Sequence, residues 1–520
     1  MTIESRLPLR RVEVPQGSTL EDYASVAHLA AAVSELKLEA QGVTARLEGR
    51  TIWMVSSTAR GGGVAEMLPT IVSLLRDLGI RVEWVVIGSS EPAFFELTKR
   101  IHNLIHGVGT PDLGEADRRL YERVNRENAD ALRELVRPGD LLVVHDPQPL
   151  PMALQLRDAG SLVTLWRSHI GLDAENAATR AVWEFLAPYL DAYDGAVFSA
   201  PEYIPERLAR RAQVVFPGID PLAAKNRDLS LRQTIEVMCN AGLIPCPGPT
   251  VGDRYLSPSQ RLLPDGIWAP ASVADNIGLL TRPIVTQISR WDRLKGFLPL
   301  MEAFIQLKRS LAEGPADTST RRRHLELARL VLAGPDPSAI QDDPEARDVL
   351  EELRTAYRAL HPTLQETIAI LLLPMHSLEE NALMVNALQR ASTIVVQNSL
   401  REGFGLTIAE AMWKRIPVLS NARACGPRQQ VRDGLDGRLV ADPEDRQELR
   451  RALEDMLADP ARLERWGHSA QRRVHEHFLV FDQLRAWGRL LATLVGRPSG
   501  ERPAVMEAAS SEPDGRSKVP

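Results

Sequence analysis

The sequence is short of the features that would place a protein in a specialised class. It has three cysteines among 520 residues, and Cys239, Cys246 and Cys425 form neither a disulfide framework nor a zinc-ligand pattern. They read as free thiols of a reducing compartment. No apolar run approaches the roughly 18–20 residues that span a bilayer; residues 368–373, I-A-I-L-L-L, fit a buried strand instead. The opening MTIESRLPLRRVEVPQ lacks the apolar centre of a secretory signal. Neither sign of charge is in excess, with 62 Lys and Arg against 68 Asp and Glu and a net charge of −6, which argues against a polyanion-binding surface over the whole molecule. An Asp-x-Asp metal motif and a short internal repeat are also missing. These absences leave the expectation of a cytoplasmic protein acting on small molecules. No metal, nucleic-acid or membrane partner is expected, and a homodimer is the candidate assembly.

What is present is the composition of an ordinary globular protein, 44% hydrophobic and 25% charged, in a chain too long for one core. From about residue 50, short β-branched runs alternate with longer helical stretches, the pattern of a parallel α/β sheet. Strands are expected at 51–56, 81–87, 140–144, 161–166, 195–199 and 213–216, with helices such as 64–78 and 116–136 between them. A second series begins near 283. Its strands are expected at 283–288, 328–333, 367–373, 393–397 and 417–420, and its helices at 297–311, 346–359 and 406–413. Two successive series predict two doubly wound domains facing a cleft, with ligands beyond the carboxyl ends of the strands. The expected layout is an extension (1–50) packed on the first domain, a first domain (51–280), a second domain (281–475), and a helix (476–497) returning to the first domain. The tail, 498–520, mixes Ser, Glu, Pro, Gly and Lys without periodicity and is expected to be disordered.

Three loops carry candidate chemistry. After the first strand comes S-S-T-A-R-G-G-G-V-A-E, where Gly61, Gly62 and Gly63 would let a backbone and a helix N-terminus approach a phosphate. It is not the G-x-G-x-x-G of nicotinamide-binding proteins. After the first strand of the second series comes S-R-W-D-R-L-K-G, in which Arg290 and Lys295 can converge on one anion. A departing diphosphate builds up such negative charge. The third loop, R-E-G-F-G-L-T-I-A-E, places Glu402 before two glycines and Glu410 inside the following helix, where carboxylates and N–H groups can take the hydroxyls of a sugar or ribose. Taken singly, each loop also has a structural explanation: a packing turn, a solvated charge pair, a surface glutamate.

The combination R-x4-K-G followed by E-G-F-G-L-x3-E resembles the retaining nucleotide-sugar glycosyltransferases of GT-B fold. The strings SSTARGGGVAEML, HDPQPLPMA, WRSHIGLD, FPGIDPLAAKNRDLS and VNALQRASTIVVQNSLREGFGLTIAEAMWK are similar to the glycosyltransferring trehalose synthases and trehalose phosphorylases, from about residue 14 to 495. The resemblance implies glucosyl transfer from a nucleoside diphosphate glucose to glucose, giving α,α-trehalose, with no cofactor. It implies that Arg290 and Lys295 bind the donor diphosphate, that Glu402 stands beside the donor sugar with Gly403, Phe404, Gly405 and Leu406, and that Glu410 holds the ribose. The glycines 61–63 join the donor site. His169 matches a histidine at the reacting face of the donor sugar, and His145 and Asp146 fall to the acceptor. One stretch departs from the family: R-A-C-G-P-R-Q-Q at 423–430 has Pro427 where a second glycine is usual, and proline removes a backbone donor. Two other readings stand beside this one, a phosphorylase using phosphate in place of the nucleotide and a sugar-nucleotide-binding protein without catalysis.

Overall fold

The computed structural model describes residues 8–59, 63–246, 248, 250, 252–272, 277–314, 319–337 and 344–496. Gly61, Gly62 and the tail from residue 497 lie outside the described residues. The chain divides into two compact units. One comprises the residues up to Phe216 together with those from Gln483 onward, and the other is Pro217–Asp482.

The first unit is built on seven strands: β1 (Leu9–Arg11), β2 (Thr51–Ser56), β3 (Arg81–Ile87), β4 (Leu141–His145), β5 (Val163–Arg167), β6 (Gly195–Phe198) and β7 (Ala212–Val214), in the order β1-β3-β2-β4-β5-β6-β7. All pair in parallel except β1, which runs antiparallel to β3 along the edge. The central strands are apolar runs buried along their length, as a sheet covered on both faces requires. From β2 the chain steps one way to β3 and then back to β4. That reversal between β2 and β4 is the point where a doubly wound sheet opens a ligand crevice at the strand ends. The helix Val480–Val495 contributes Leu484, Trp487, Leu490, Leu491 and Leu494 to the buried core. Its Arg485 bonds Glu35 and Glu39 of the helix Ala30–Arg46 at 2.6–2.8 Å.

The second unit carries β8 (Gln260–Leu262), β9 (Trp268–Pro270), β10 (Ile284–Ile288), β11 (Arg329–Pro335), β12 (Ile368–Leu373), β13 (Ile394–Val396), β14 (Val418–Asn421) and β15 (Gly437–Val440). Their order is β15-β14-β13-β10-β11-β12-β8-β9. Six strands, β10 to β15, are parallel and follow the doubly wound dinucleotide-fold order, with the reversal between β10 and β13. The antiparallel hairpin β8–β9 extends the sheet beyond β12.

Residues 217–280, read from sequence as part of the first domain, belong to the second unit. Val237 and Met238 of the helix Leu231–Asn240 share a core with Met384 and Leu388 of the helix Leu378–Arg390, and Leu243, Ile277 and Leu279 join it. The Pro- and Gly-rich composition of this stretch hides its apolar anchors, which are spaced too irregularly to read as an element. Among the described residues no helix is long and apolar enough to cross a membrane.

Candidate functional site

In the second unit, the reversal of strand order brings the loops after β10 and β13 side by side. The β10 loop is set by Trp291, which is buried, stacks near Phe297 and donates from Nε1 to the Pro335 carbonyl at 2.8 Å. Gly334 leaves room for that indole, since a Cβ there would lie 2.6 Å from it. With Trp291 turned inward, Arg290 keeps 64% of its side chain exposed, 3.8 Å from Asp292. Asp292 caps the short turn Arg293–Lys295 by accepting from the Leu294 N–H at 2.8 Å. The turn ends at Gly296, left-handed at φ 61°, where a Cβ would meet the Asn398 carbonyl at 2.4 Å. Asn398 in turn donates to the Gly296 carbonyl, and Gln287 to that of Lys295. The loop is therefore pinned from both strands.

Lys295 so placed puts Nζ 2.7 Å from Oε2 of Glu402, with side chains 16% and 14% exposed. Gln397 and Ser399 each donate to the same oxygen at 3.0 Å. Burial pushes the Glu402 carboxyl upward, but the Lys295 ammonium and the three hydrogen bonds prevail and hold it below the usual glutamate value. The chain then turns through Gly405, at φ 84°, into the helix Leu406–Trp413. Phe404 is buried against Phe478, and its carbonyl accepts from Gln430. Glu410, one turn into the helix, is also buried; it pairs with Lys225 at 3.8 Å rather than joining the Lys295 cluster. The departure at Pro427 is absorbed locally. It falls in the first turn of the helix Cys425–Gln430, where N–H groups have no intrahelical acceptor. Gly426 keeps the position that matters, because a Cβ there would lie 2.4 Å from the Phe404 carbonyl.

In the first unit, β4 and β5 end in register, His145 opposite Arg167. Nδ1 of His145 lies 3.2 Å from Nε2 of His169, and the two rings stack 13° from parallel. Between them in sequence, Asp146 adopts φ 62°, an unusual value for a side chain other than glycine, and accepts the His169 backbone N–H at 2.8 Å. Burial lowers the His145 pKa to about 3, with a further push from Arg167, and drives His169 the same way. Burial lifts Asp146 to about 6. Both histidines are thus neutral at pH 7. The outer nitrogens, Nε2 of His145 and Nδ1 of His169, find no hydrogen-bond partner among the described residues. The pair borders a small cavity lined by Met54, Met67, Ile71 and Trp487. Gly63 stands at the start of the adjoining helix Gly63–Asp77.

Comparison with known proteins gives the family of the chain that carries these two clusters. Residues 54–205 match the family model of the trehalose synthase N-terminal domain, and residues 275–473 that of glycosyl transferases group 1. A trehalose synthase of Pyrococcus horikoshii is 32% identical over 479 residues, 92% of this chain and 97% of that protein. One from Rubrobacter xylanophilus is 31% identical over 493 residues, 94% and 100% of the two chains. This chain belongs to the trehalose synthase family of glycosyltransferases. A solved α,α-trehalose-phosphate synthase (UDP-forming) from Burkholderia xenovorans, in complex with glucose 6-phosphate, has the same GT-B fold: TM-score 0.58 at 17% identity, covering 85% of this chain and all of that one.

Of the residues singled out in sequence, the structure unites Lys295 with Glu402, and His145 with Asp146 and His169. It leaves Arg290 outward on its loop and Glu410 in a separate pair. Three polar partners escaped the sequence reading in this family member: Gln397 and Ser399, which look like ordinary strand-end residues, and Arg167. Arg167 is fully buried, donates to Ser199 at 3.1 Å, and has Nε and one Nη without partners among the described residues. Its position beside a strand-end His-Asp pair was the one available signal.

Proposed function

We propose that this glycosyltransferase moves glucose, with retention of configuration, from a nucleoside diphosphate glucose to free glucose and so forms α,α-trehalose. The observation that carries the reading is the meeting of the β10 and β13 loops where strand order reverses, with Lys295 and Glu402 held 2.7 Å apart. An ammonium held by a carboxylate, itself fixed by the donors Gln397 and Ser399, is preorganised for charge that appears only as the C1–oxygen bond of the donor breaks. Arg290, exposed on the same loop, supplies a guanidinium to the diphosphate. The departing phosphate oxygen takes the proton of the incoming hydroxyl on the same face, so no protein nucleophile is required. Glu402 and the backbone of Gly403, Phe404, Gly405 and Leu406 hold the donor sugar, and Glu410 the ribose. His169 is assigned to the donor sugar, and Asp146 and His145 to the acceptor. In the neutral pair one ring donates to the other, which leaves one outer nitrogen to donate to a sugar hydroxyl and the other to accept from one.

The test is to incubate the full chain with glucose and a panel of nucleoside diphosphate glucoses and to assay for a non-reducing disaccharide. α,α-Trehalose with release of the nucleoside diphosphate is the expected outcome. Phosphate-dependent, nucleotide-independent turnover would select a phosphorylase instead, and nucleotide binding without turnover a non-catalytic protein. A glycosyl adduct on Glu or Asp, seen by intact mass, would replace same-face transfer with a covalent route.

A further inference from the structure

The segment 220–228, D-P-L-A-A-K-N-R-D, lies in one of the strings that mark the family, yet none of the roles above uses it. It is fastened within the second unit at several points. The Asp220 carboxylate accepts from the N–H groups of Leu222 and Ala223. Asn386 donates to the carbonyls of Ala224 and Arg227 at 2.9 Å, and Arg390 bonds Asp228 at 2.9 Å. Asn226 is buried and accepts from Nζ of Lys414 at 3.3 Å, while Lys414 also donates to the Glu410 carbonyl at 2.9 Å. Fastened in this way, Lys225 sets its ammonium 3.8 Å from Oε1 of Glu410, with side chains 27% and 7% exposed.

That separation makes an ion pair without a hydrogen bond. Among the described residues no hydrogen bond reaches either carboxylate oxygen of Glu410, since Lys414 takes the backbone carbonyl of that residue. A nearly buried carboxylate with its lone pairs unused is costly unless something else donates to them. Two adjacent oxygens suit a vicinal pair of hydroxyls, and a cation alongside holds the charge in place without occupying the acceptor positions.

We propose that Lys225 is a positioning residue of the donor site, fixing the Glu410 carboxylate where the 2′- and 3′-hydroxyls of a nucleoside diphosphate donate to it. On this view the segment 220–228 determines how strongly the protein separates a ribonucleotide from its deoxy counterpart. The inference rests on the reading of Glu410 as the ribose ligand.

The experiment is calorimetric titration of the full chain with uridine, adenosine and guanosine diphosphates, their 2′-deoxy forms, and inorganic pyrophosphate. The wild type should bind its preferred ribonucleotide about tenfold tighter than the deoxy form, the worth of one hydrogen bond to a charged group. Lys225→Met should weaken the ribonucleotide by about that factor and bring the ribo-to-deoxy ratio close to one. Pyrophosphate affinity should be unchanged, and Lys225→Arg should restore most of the ratio. In turnover, KM for the donor should rise while kcat stays within about twofold. Should Lys225→Met melt early, Lys225→Gln gives the same comparison. An unchanged ratio in the Met or Gln variant overturns the role of Lys225 alone, as does equal loss of nucleotide and pyrophosphate binding. A wild type that binds no nucleoside diphosphate overturns this inference together with the donor reading beneath it.

Discussion

Glu402 has an environment in which burial and pairing pull in opposite directions, and Lys295 decides the balance. Lys295→Ala should cut turnover by about 10²–10³, the scale of losing one preorganised group at a developing charge. It should also cost about 3–5 kcal/mol of stability, because an uncompensated buried charge is left behind. Adding Glu402→Gln should return much of the stability and none of the turnover. Urea unfolding beside a rate assay separates the two effects, and near-normal rates in the single variant would remove Lys295 from the mechanism. At the histidine pair, the pKa of His145 falls from 6.5 unfolded to about 3 folded, so its stabilisation is complete above 6.5 and is lost as pH drops toward 3. Asp146 has the opposite sign. Its pKa is raised to about 6, so its contribution is complete below about 3.8 and is lost as pH rises through 6. Unfolding midpoints measured from pH 7 to 3 should show an acid limb that flattens in His145→Gln. In Asp146→Asn the loss between pH 4 and 6 should steepen, because the opposing term is gone.

Among the elements, the two left-handed glycine turns set the geometry of the second-unit loops. Gly296→Ala should destabilise by roughly 3 kcal/mol or more, since φ 61° and a carbonyl 2.4 Å from the new Cβ both oppose it. Gly63→Ala meets nothing within 4 Å and should change stability by less than about 1 kcal/mol. Thermal melting of both variants checks the contrast. Such loops explain what was legible beforehand. Apolar strands buried on both faces announce themselves, so β2, β3, β10 and β12 were readable within a residue or two, as was the helix Leu406–Trp413. β1, β8, β9 and β15 were not, being three- or four-residue pieces at or next to a sheet edge, such as G-R-L-V, too short for any alternation to register. The order of charged residues marked out the candidate loops; which of their side chains meet, Lys295 with Glu402 but not Arg290 or Glu410, is decided by packing. Nothing in R-x4-K-G states that Trp291 turns inward and sends Arg290 out, or that Lys225, 185 positions before Glu410, comes to rest beside it.

At the scale of the whole chain, the second unit is one continuous stretch, whereas the first is assembled from both ends of the sequence. A fragment of residues 217–482 should therefore fold alone and retain nucleoside diphosphate binding. Residues 1–216 should not, because the helix Val480–Val495 supplies five buried apolar side chains to their core. Adding a peptide of residues 480–496 in trans should rescue that fragment, with circular dichroism and cooperative melting as the readout. The same arrangement has a consequence for biosynthesis. When Phe216 leaves the ribosome, the helix that completes its core has yet to be made, and the 266 residues of the second unit come first. At about 5–20 residues per second that interval is roughly ten to fifty seconds. Throughout it the nascent first half exposes apolar surface that only a segment made after the second unit can cover.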